Sequence, residues 1–310
     1  MGETSLSNMQ LSREVFIIDC FLTCRRIETF IREIMERLRR TGIVVPISGG
    51  LDSSVVASLC VRAVGRQKVI GLMLPERQGN PEALRYARVL ADHLDIKTKT
   101  IDISKVLRSA GTYRFALSLL PSRRIKASIV KKYLGTKGEN FFLKGIRGTD
   151  DRLVNRGLAS FYTKQRARLM ATYKFAEENG LMVVGSAHKT EDMVGLYVKF
   201  GVDDAADVMP LKNLYRSHIL QLAEHLGVPS VIIARAPNPD LVPGVDDKYR
   251  DVLGISWDAL DRILYGLEHN MEVSEIAEKT GIEVSAVHMT AELVKLTHHM
   301  RNPSLAPRVL

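Results

Sequence analysis

The run Ile43-Val44-Val45-Pro46-Ile47-Ser48-Gly49-Gly50-Leu51-Asp52-Ser53-Ser54, continuing into Val55-Val56-Ala57-Ser58-Leu59-Cys60-Val61, decides the fold. Uncharged, mainly β-branched residues from Ile43 read as a buried parallel strand, the glycine pair as a tight turn, and Asp52-Ser53-Ser54 as the opening of an apolar helix. Such a unit can cradle phosphate. Glycines let backbone N–H groups approach the anion, the helix N-terminus adds partial positive charge, and Ser48, Ser53 and Ser54 add hydroxyl donors. No lysine precedes the hydroxyl residues, which disfavours a Walker-type kinase or motor ATPase. Asp52 beside the cradle makes sense if Mg²⁺ bridges it to the phosphates. Two glycines alone leave open a plain βα turn with a serine-rich N-cap.

Outward from this unit, strand and helix signals alternate. Residues 10–40 carry apolar positions at helical spacing, among them Phe21, Ile27, Ile31, Ile34 and Leu38. Lys68 to Pro75 reads as a second strand, Asn80-Pro81 as the capped start of a helix through Leu94, and Lys97 to Ile103 as a third strand. Regularity is expected to fail from about Ser109 to Ser160, then to return as a helix over Gln165–Glu178, a strand over Leu181–Gly185 and a helix over Thr190–Val198. Further helices are expected over Leu214–Leu226 and Trp257–Leu267. Short links between alternating elements imply a parallel, doubly wound sheet with its ligand at the carboxyl ends of the strands. From Glu272 to His299, Ser274 to Ile282 resembles the front of a helix-turn-helix. Its second helix offers Glu283, His288 and Glu292 rather than a base-reading row, so helical packing is the favoured reading.

The chain of 310 residues is long enough for a full α/β core, and its net charge is +9. Between Pro121 and Met170, thirteen lysines and arginines stand against Glu139, Asp150 and Asp151, so this segment carries the whole imbalance. A polyanionic ligand or a solvated basic loop accounts for it equally well. No apolar run is long enough for a membrane span, and the charged first twenty residues fit no secretory signal. Cys20, Cys24 and Cys60 lack metal or redox spacing, which points to buried thiols in a reducing cytoplasm.

Ser-Gly-Gly-Leu-Asp-Ser (48–53) resembles the Ser-Gly-Gly-x-Asp-Ser signature of the PP-loop ATP pyrophosphatases. Further motifs follow in the order found in the NAD⁺ synthases. Lys164-Gln165-Arg166-Ala167-Arg168-Leu169-Met170 with Tyr173 resembles that family's Lys-x-Arg-x-Arg-Met…Tyr helix. Val183 to Glu191, with Gly195 and Lys199-Phe200-Gly201, resembles its Gly-Thr-x-Asn/His-x-x-Glu…Gly-x-x-Thr-Lys-Tyr-Gly block. Asp207-Val208-Met209-Pro210-Leu211, Pro237-Asn238-Pro239-Asp240-Leu241 and Leu253-Gly254-Ile255-Ser256-Trp257 resemble three more.

The resemblance implies an adenine nucleotide α-hydrolase fold, with residues 1–270 as the ATP pyrophosphatase domain, a basic lid or insertion at 109–160, and 271–310 as a helical annex. It implies ATP and Mg²⁺ as cofactors, a dinucleotide-like carboxylate and ammonia as substrates, and a homodimer with the acceptor site near its interface. The carboxylate of nicotinic acid adenine dinucleotide would attack the α-phosphorus of ATP, and ammonia would displace AMP. No glutaminase domain fits this length, so ammonia is expected from solution or from a separate subunit. Carried over residue by residue, Asp52, Glu191 and Arg216 are catalytic, and Asp52 and Glu191 bind the metal. Ser48, Gly49, Gly50, Asp52, Ser53, Ser54, Ser186 and Arg216 bind ATP, and Arg166, Arg168, Lys199, Asp207 and Asn238 bind the acceptor. Singly, Glu191 reads equally as a salt-bridged helix residue and Arg166 and Arg168 as solvated arginines.

Departures from the family pattern fall away from the ATP motifs: Tyr162 for an asparagine, Val202-Asp203-Asp204 in a glycine-rich stretch, and Asp246-Asp247 followed by Lys248-Tyr249-Arg250-Asp251. They lead to the expectation that ATP binding is retained while nicotinic acid adenine dinucleotide turns over weakly. The alternatives are a PP-loop amide or sulfur transferase acting on another metabolite or on tRNA, and a catalytically silent nucleotide-binding protein.

Overall fold

The computed structural model describes residues 11–114, 128, 141–238 and 245–302. Four parallel strands, β1 (Gly42–Pro46), β2 (Val69–Met73), β3 (Lys97–Thr100) and β4 (Leu181–Val183), lie in the order β3-β2-β1-β4. The chain winds outward from β1 to β3 and then returns to add β4 on the other side of β1. This reversal opens a crevice beyond the carboxyl ends of β1 and β4, where open parallel sheets bind their ligands.

The helices in chain order are α1 (Cys20–Arg37), α2 (Leu51–Val64), α3 (Pro81–Leu94), α4 (Ser104–Ser109), α5 (Phe141–Arg147), α6 (Arg152–Asn179), α7 (Lys189–Val194), α8 (Arg216–His225) and α9 (Ser230–Ile233). They continue with α10 (Lys248–Leu253), α11 (Trp257–Glu268), α12 (Val273–Thr280), α13 (Val284–Leu296) and α14 (His298–Arg301). Successive strand residues face opposite sides of a sheet, and here both sides are covered. Ile43 and Val45 pack with Ile31 of α1, Val55 and Leu59 of α2 and Ile219 and Leu222 of α8. Val44 and Leu72 pack on the other side with Leu107 of α4 and Ala167 and Ala176 of α6. The edge strand β3 is Lys97-Thr98-Lys99-Thr100, exposed throughout, and its lysines discourage pairing with another strand.

The sequence places irregular chain up to Ser160, whereas α5 and the first turns of α6 are helical. Asp151 caps α6 by accepting from the N–H groups of Leu153 (2.8 Å) and Val154 (3.2 Å), and buried Val154 and Leu158 extend the apolar stripe one turn apart. Except for residue 128, the basic stretch 121–140 lies outside the described residues, as do Pro239, Asp240 and Leu241. Near the C-terminus, α12 and α13 pack on α11 through Ile263, Ile276, Ala277 and Val287. The α13 residue Leu293 joins a second cluster with Val194 of α7. No helix among the described residues is long and apolar enough to cross a membrane.

Candidate active site

The loop after β1 is shaped by its own side chains. Gly49 has φ +73°, and a Cβ there would lie 2.4 Å from the Ala83 carbonyl oxygen of α3, so only glycine fits both the turn and the approach. The Ser53 Oγ donates to the Gly50 carbonyl (3.1 Å) and accepts from the Ser48 N–H (3.3 Å), while the Gly50 N–H donates to the Ser48 Oγ (3.2 Å). Ser54 is fully buried and its hydroxyl donates to the Gly50 carbonyl at 2.8 Å. The loop is thus braced by hydrogen bonds among its own hydroxyls and backbone. Ser48, Gly50, Asp52 and Ser53 line a cavity of about 650 Å³, and Gly49 and Ser54 stand behind its wall.

Across the reversal, the segment after β4 brings Ser186, His188 and Glu191 to the same cavity region. Asp52, in the first turn of α2, His188 and Glu191 each offer a ligand atom, and these atoms lie within 4.8 Å of one another. Two carboxylates and a buried imidazole converging at this distance are a donor set that suits a divalent cation. The His188 Nε2 lies 3.3 Å from the Glu191 Oε2, 3.9 Å from the Asp52 Oδ1 and 3.4 Å from the Tyr249 hydroxyl.

Two cations face these acids. Arg216, the first residue of α8, donates from Nη1 to the Asp52 Oδ1 at 3.3 Å, and its buried Nε–H has no hydrogen-bond partner among the described residues. Lys248, the first residue of α10, pairs its Nζ with the Glu191 Oε1. Burial alone would raise the Asp52 carboxyl, yet His188, Arg216 and Lys248 hold it below the ordinary carboxylate range. Asp203, also in the cavity wall, is pushed up to about 6 by burial and by the facing Glu191.

On the acceptor side the proposed residues separate. Lys164 and Arg168 are one helical turn apart on α6 and face inward; Arg166, two residues from each, points out. The buried Lys164 pairs with Glu76 at 2.6 Å, Glu76 also accepts from the Tyr113 hydroxyl at 2.8 Å, and Arg168 lines the cavity. Burial works to raise the Glu76 carboxyl, but Lys164 and its other donors hold it low. Arg166 is exposed and donates to the Lys199 carbonyl (3.2 Å), while the Lys199 Nζ donates to the carbonyls of His299 (2.9 Å) and Asn302 (3.0 Å). Asp207 accepts from the Val183 N–H (2.8 Å) and the Tyr173 hydroxyl (3.2 Å). Asn238 lines the cavity; Arg166, Lys199 and Asp207 do not. Lys212 pairs with Asp192 at 3.0 Å. The sequence pattern assigns no role to His188, Glu76, Asp203 or Lys248. The one pointer to Lys248 was its place in the departing 246–251 stretch.

A parallel sheet whose first strand ends in a hydroxyl-braced Ser-Gly-Gly loop, with Asp52 in the helix that follows it and Glu191 opposite across the winding reversal, defines an α/β nucleotide-binding protein of the PP-loop class. The model of the NAD synthase family matches residues 23–129 and 124–304. The chain belongs to that family. It is 37% identical to an NH₃-dependent NAD⁺ synthetase of Coprothermobacter proteolyticus, over 89% of this chain and 94% of the relative. It is 39% identical to one of Thermotoga neapolitana, over 80% of this chain and 84% of the relative. Among solved structures, it is similar in fold to an NMN synthetase of Francisella tularensis, with TM-score 0.69 and 22% identity over 94% of this chain and 99% of that one. A similar likeness holds for an NH₃-dependent NAD synthetase of Campylobacter jejuni, with TM-score 0.65 and 22% identity over 95% and 100%. These relatives do not favour the sulfur-transfer, tRNA-modifying or silent alternatives.

Proposed function

We propose that the chain makes an amide from a carboxylate of the nicotinic acid adenine dinucleotide type, using ATP and ammonia. The carboxylate oxygen bonds to the α-phosphorus of ATP as the bond to pyrophosphate breaks; ammonia then attacks the acyl carbon, AMP leaves, and one proton is released. The observation that carries this reading is the meeting of Asp52, His188 and Glu191 beside the braced Ser48–Ser53 loop.

In this reading Ser48, Gly50, Ser53 and Ser186 contact the nucleotide, with Gly49 and Ser54 shaping the loop behind them. Arg216 directs its unpartnered Nε–H and its fork toward phosphate oxygens. Asp52 and Glu191 would hold Mg²⁺, which when bound supplies charge stabilisation to the phosphates. Arg168 and Asn238 offer polar groups to the acceptor from the cavity wall, and apolar Phe161, Leu158 and Val252 exclude water beside them. We further infer that 271–310 is an annex of the same domain, and that a second copy covers exposed Phe21, Leu22 and Phe30 of α1 and brings Arg166, Lys199 and Asp207 into play.

The test is to incubate the protein with ATP, Mg²⁺ and nicotinic acid adenine dinucleotide, with and without ammonium, and to resolve the products. AMP, pyrophosphate and NAD⁺ in equal amounts with ammonium present support the reading; ATP use without NAD⁺ formation points to another carboxylate.

A further inference from the structure

Lys248 occupies a position that no phosphate-loop motif accounts for. It opens α10 directly after Asp247, whose carboxylate accepts from the N–H groups of Tyr249 (2.9 Å) and Arg250 (3.1 Å). Asp251 accepts in turn from the N–H groups of Asp246 (2.7 Å) and Asp247 (2.9 Å), so the turn before α10 is fixed from both ends. From this rigid cap the lysine stem crosses to α7. Its Nζ meets the Glu191 Oε1 and lies 5.3 Å from the Tyr249 ring centroid, with only 16% of the side chain exposed.

Every carboxylate of the candidate metal site is therefore already matched. One Glu191 oxygen carries Lys248, the other faces His188 at 3.3 Å, and the Asp52 Oδ1 accepts from Arg216 at 3.3 Å. Asp52, Glu191 and the nearby Asp203 stand against Arg216, Lys248 and Arg168, so the local charges already balance. A divalent cation arriving alone would have to take Glu191 from Lys248 and would leave the partly desolvated site with a surplus of positive charge. A nucleotide triphosphate brings the missing negative charge. It also offers an alternative partner to an ammonium on a flexible four-carbon stem.

We propose that Lys248 is a place-holding cation: it keeps Glu191 paired in the empty site and transfers to nucleotide phosphate on loading, so that the divalent cation enters with the nucleotide and not before it. This inference rests on the assignment of Asp52 and Glu191 as metal ligands. Apparent affinity falls by the fraction of time a site is not competent, so freeing Glu191 should strengthen binding of the metal alone.

The experiment measures Mn²⁺ retained by the full chain in equilibrium dialysis, with and without a non-hydrolysable ATP analogue present on both sides of the membrane, in the wild type, Lys248→Met and Lys248→Gln. The analogue chelates Mn²⁺ equally on both sides, so only the excess on the protein side counts. Thermal melting checks that each variant is folded. The wild type is expected to bind Mn²⁺ weakly alone and at least about tenfold more tightly with the analogue. Lys248→Met should bind Mn²⁺ alone about tenfold more tightly than the wild type, with a smaller gain from the analogue. If Mn²⁺ binds the wild type with the analogue but neither variant gains affinity without it, Lys248 holds no place and the metal assignment stands. If Mn²⁺ fails to bind any form even with the analogue, the metal assignment falls and takes the inference with it. Wild-type Mn²⁺ binding that the analogue leaves unchanged overturns the inference without recourse to a variant.

Discussion

The nucleotide side and the acceptor side of the cavity are built differently. On the proposed nucleotide side, Ser48, Gly50, Asp52 and Ser53 come from one strand-loop-helix unit, and Ser48, Gly50 and Ser53 brace one another by bonds spanning at most five residues. Away from the loop, paired groups come from far apart: Lys164 and Glu76 on the proposed acceptor side are separated by 88 positions, and Lys248 and Glu191 at the candidate metal site by 57. A site made of neighbours in sequence inherits its geometry from local turn chemistry. One made across the fold depends on every packing contact between its parts. The difference predicts sharp, all-or-none losses on the nucleotide side and graded ones on the acceptor side.

The largest effects are expected at the carboxylates. Asp52→Asn or Glu191→Gln removes a negative ligand at constant volume and should cut pyrophosphate release by about 10³-fold, measured in a coupled assay, with thermal melting run to confirm that each variant is folded. Pyrophosphate release unchanged from the wild type in both variants would detach these acids from the chemistry. Arg216→Met should follow with a loss of about 10²-fold in kcat, partly recovered by Arg216→Lys, which keeps the charge but not the fork.

Arg168→Ala is expected to raise the acceptor KM about tenfold while leaving the ATP KM within about twofold. Its counterpart Arg166→Ala sharpens the comparison, because Arg166 faces away from the cavity of its own chain. A matching rise in acceptor KM would mean that a second copy completes the acceptor site. No rise would mean that one chain builds it alone.

Two smaller effects concern the fold beneath the site. Gly49→Ala places a Cβ against the Ala83 carbonyl in a positive-φ turn and should cost about 1–3 kcal/mol in denaturant unfolding. His218 of α8 is depressed from 6.5 to about 4, first by burial and then by Lys189, and its Nδ1 accepts from the Tyr215 N–H at 3.2 Å. The native state therefore holds the ring neutral while the unfolded chain takes a proton. Stability is full above pH 6.5 and falls as pH drops from there toward about 4. After solvent screening the loss is on the order of 1 kcal/mol, and His218→Gln should flatten that part of the stability profile.

The same contrast explains what could be read from the chain. The β1 loop, Asp52 and the alternation of strands and helices were legible because turn residues and strand patterning are local signals. Ser54 was legible as a hydroxyl but not as one turned back to the Gly50 carbonyl, since a helix-opening serine can face either way. The basic helix was legible as a motif, and its 3.6-residue period separates Lys164 and Arg168 from Arg166. Lys248 was hidden because its meaning depends on α10 lying against α7, which no spacing along the chain reveals.

The account turns on adenylyl transfer from the α-phosphorus of ATP to the acceptor carboxylate, with release of pyrophosphate, at the β1–β4 reversal. The most direct measurement is exchange of labelled pyrophosphate into ATP, with nicotinic acid adenine dinucleotide present and ammonium absent. The account predicts exchange that requires the acceptor and disappears in Asp52→Asn. Acceptor-independent cleavage of ATP to ADP and inorganic phosphate, with no exchange, would contradict it.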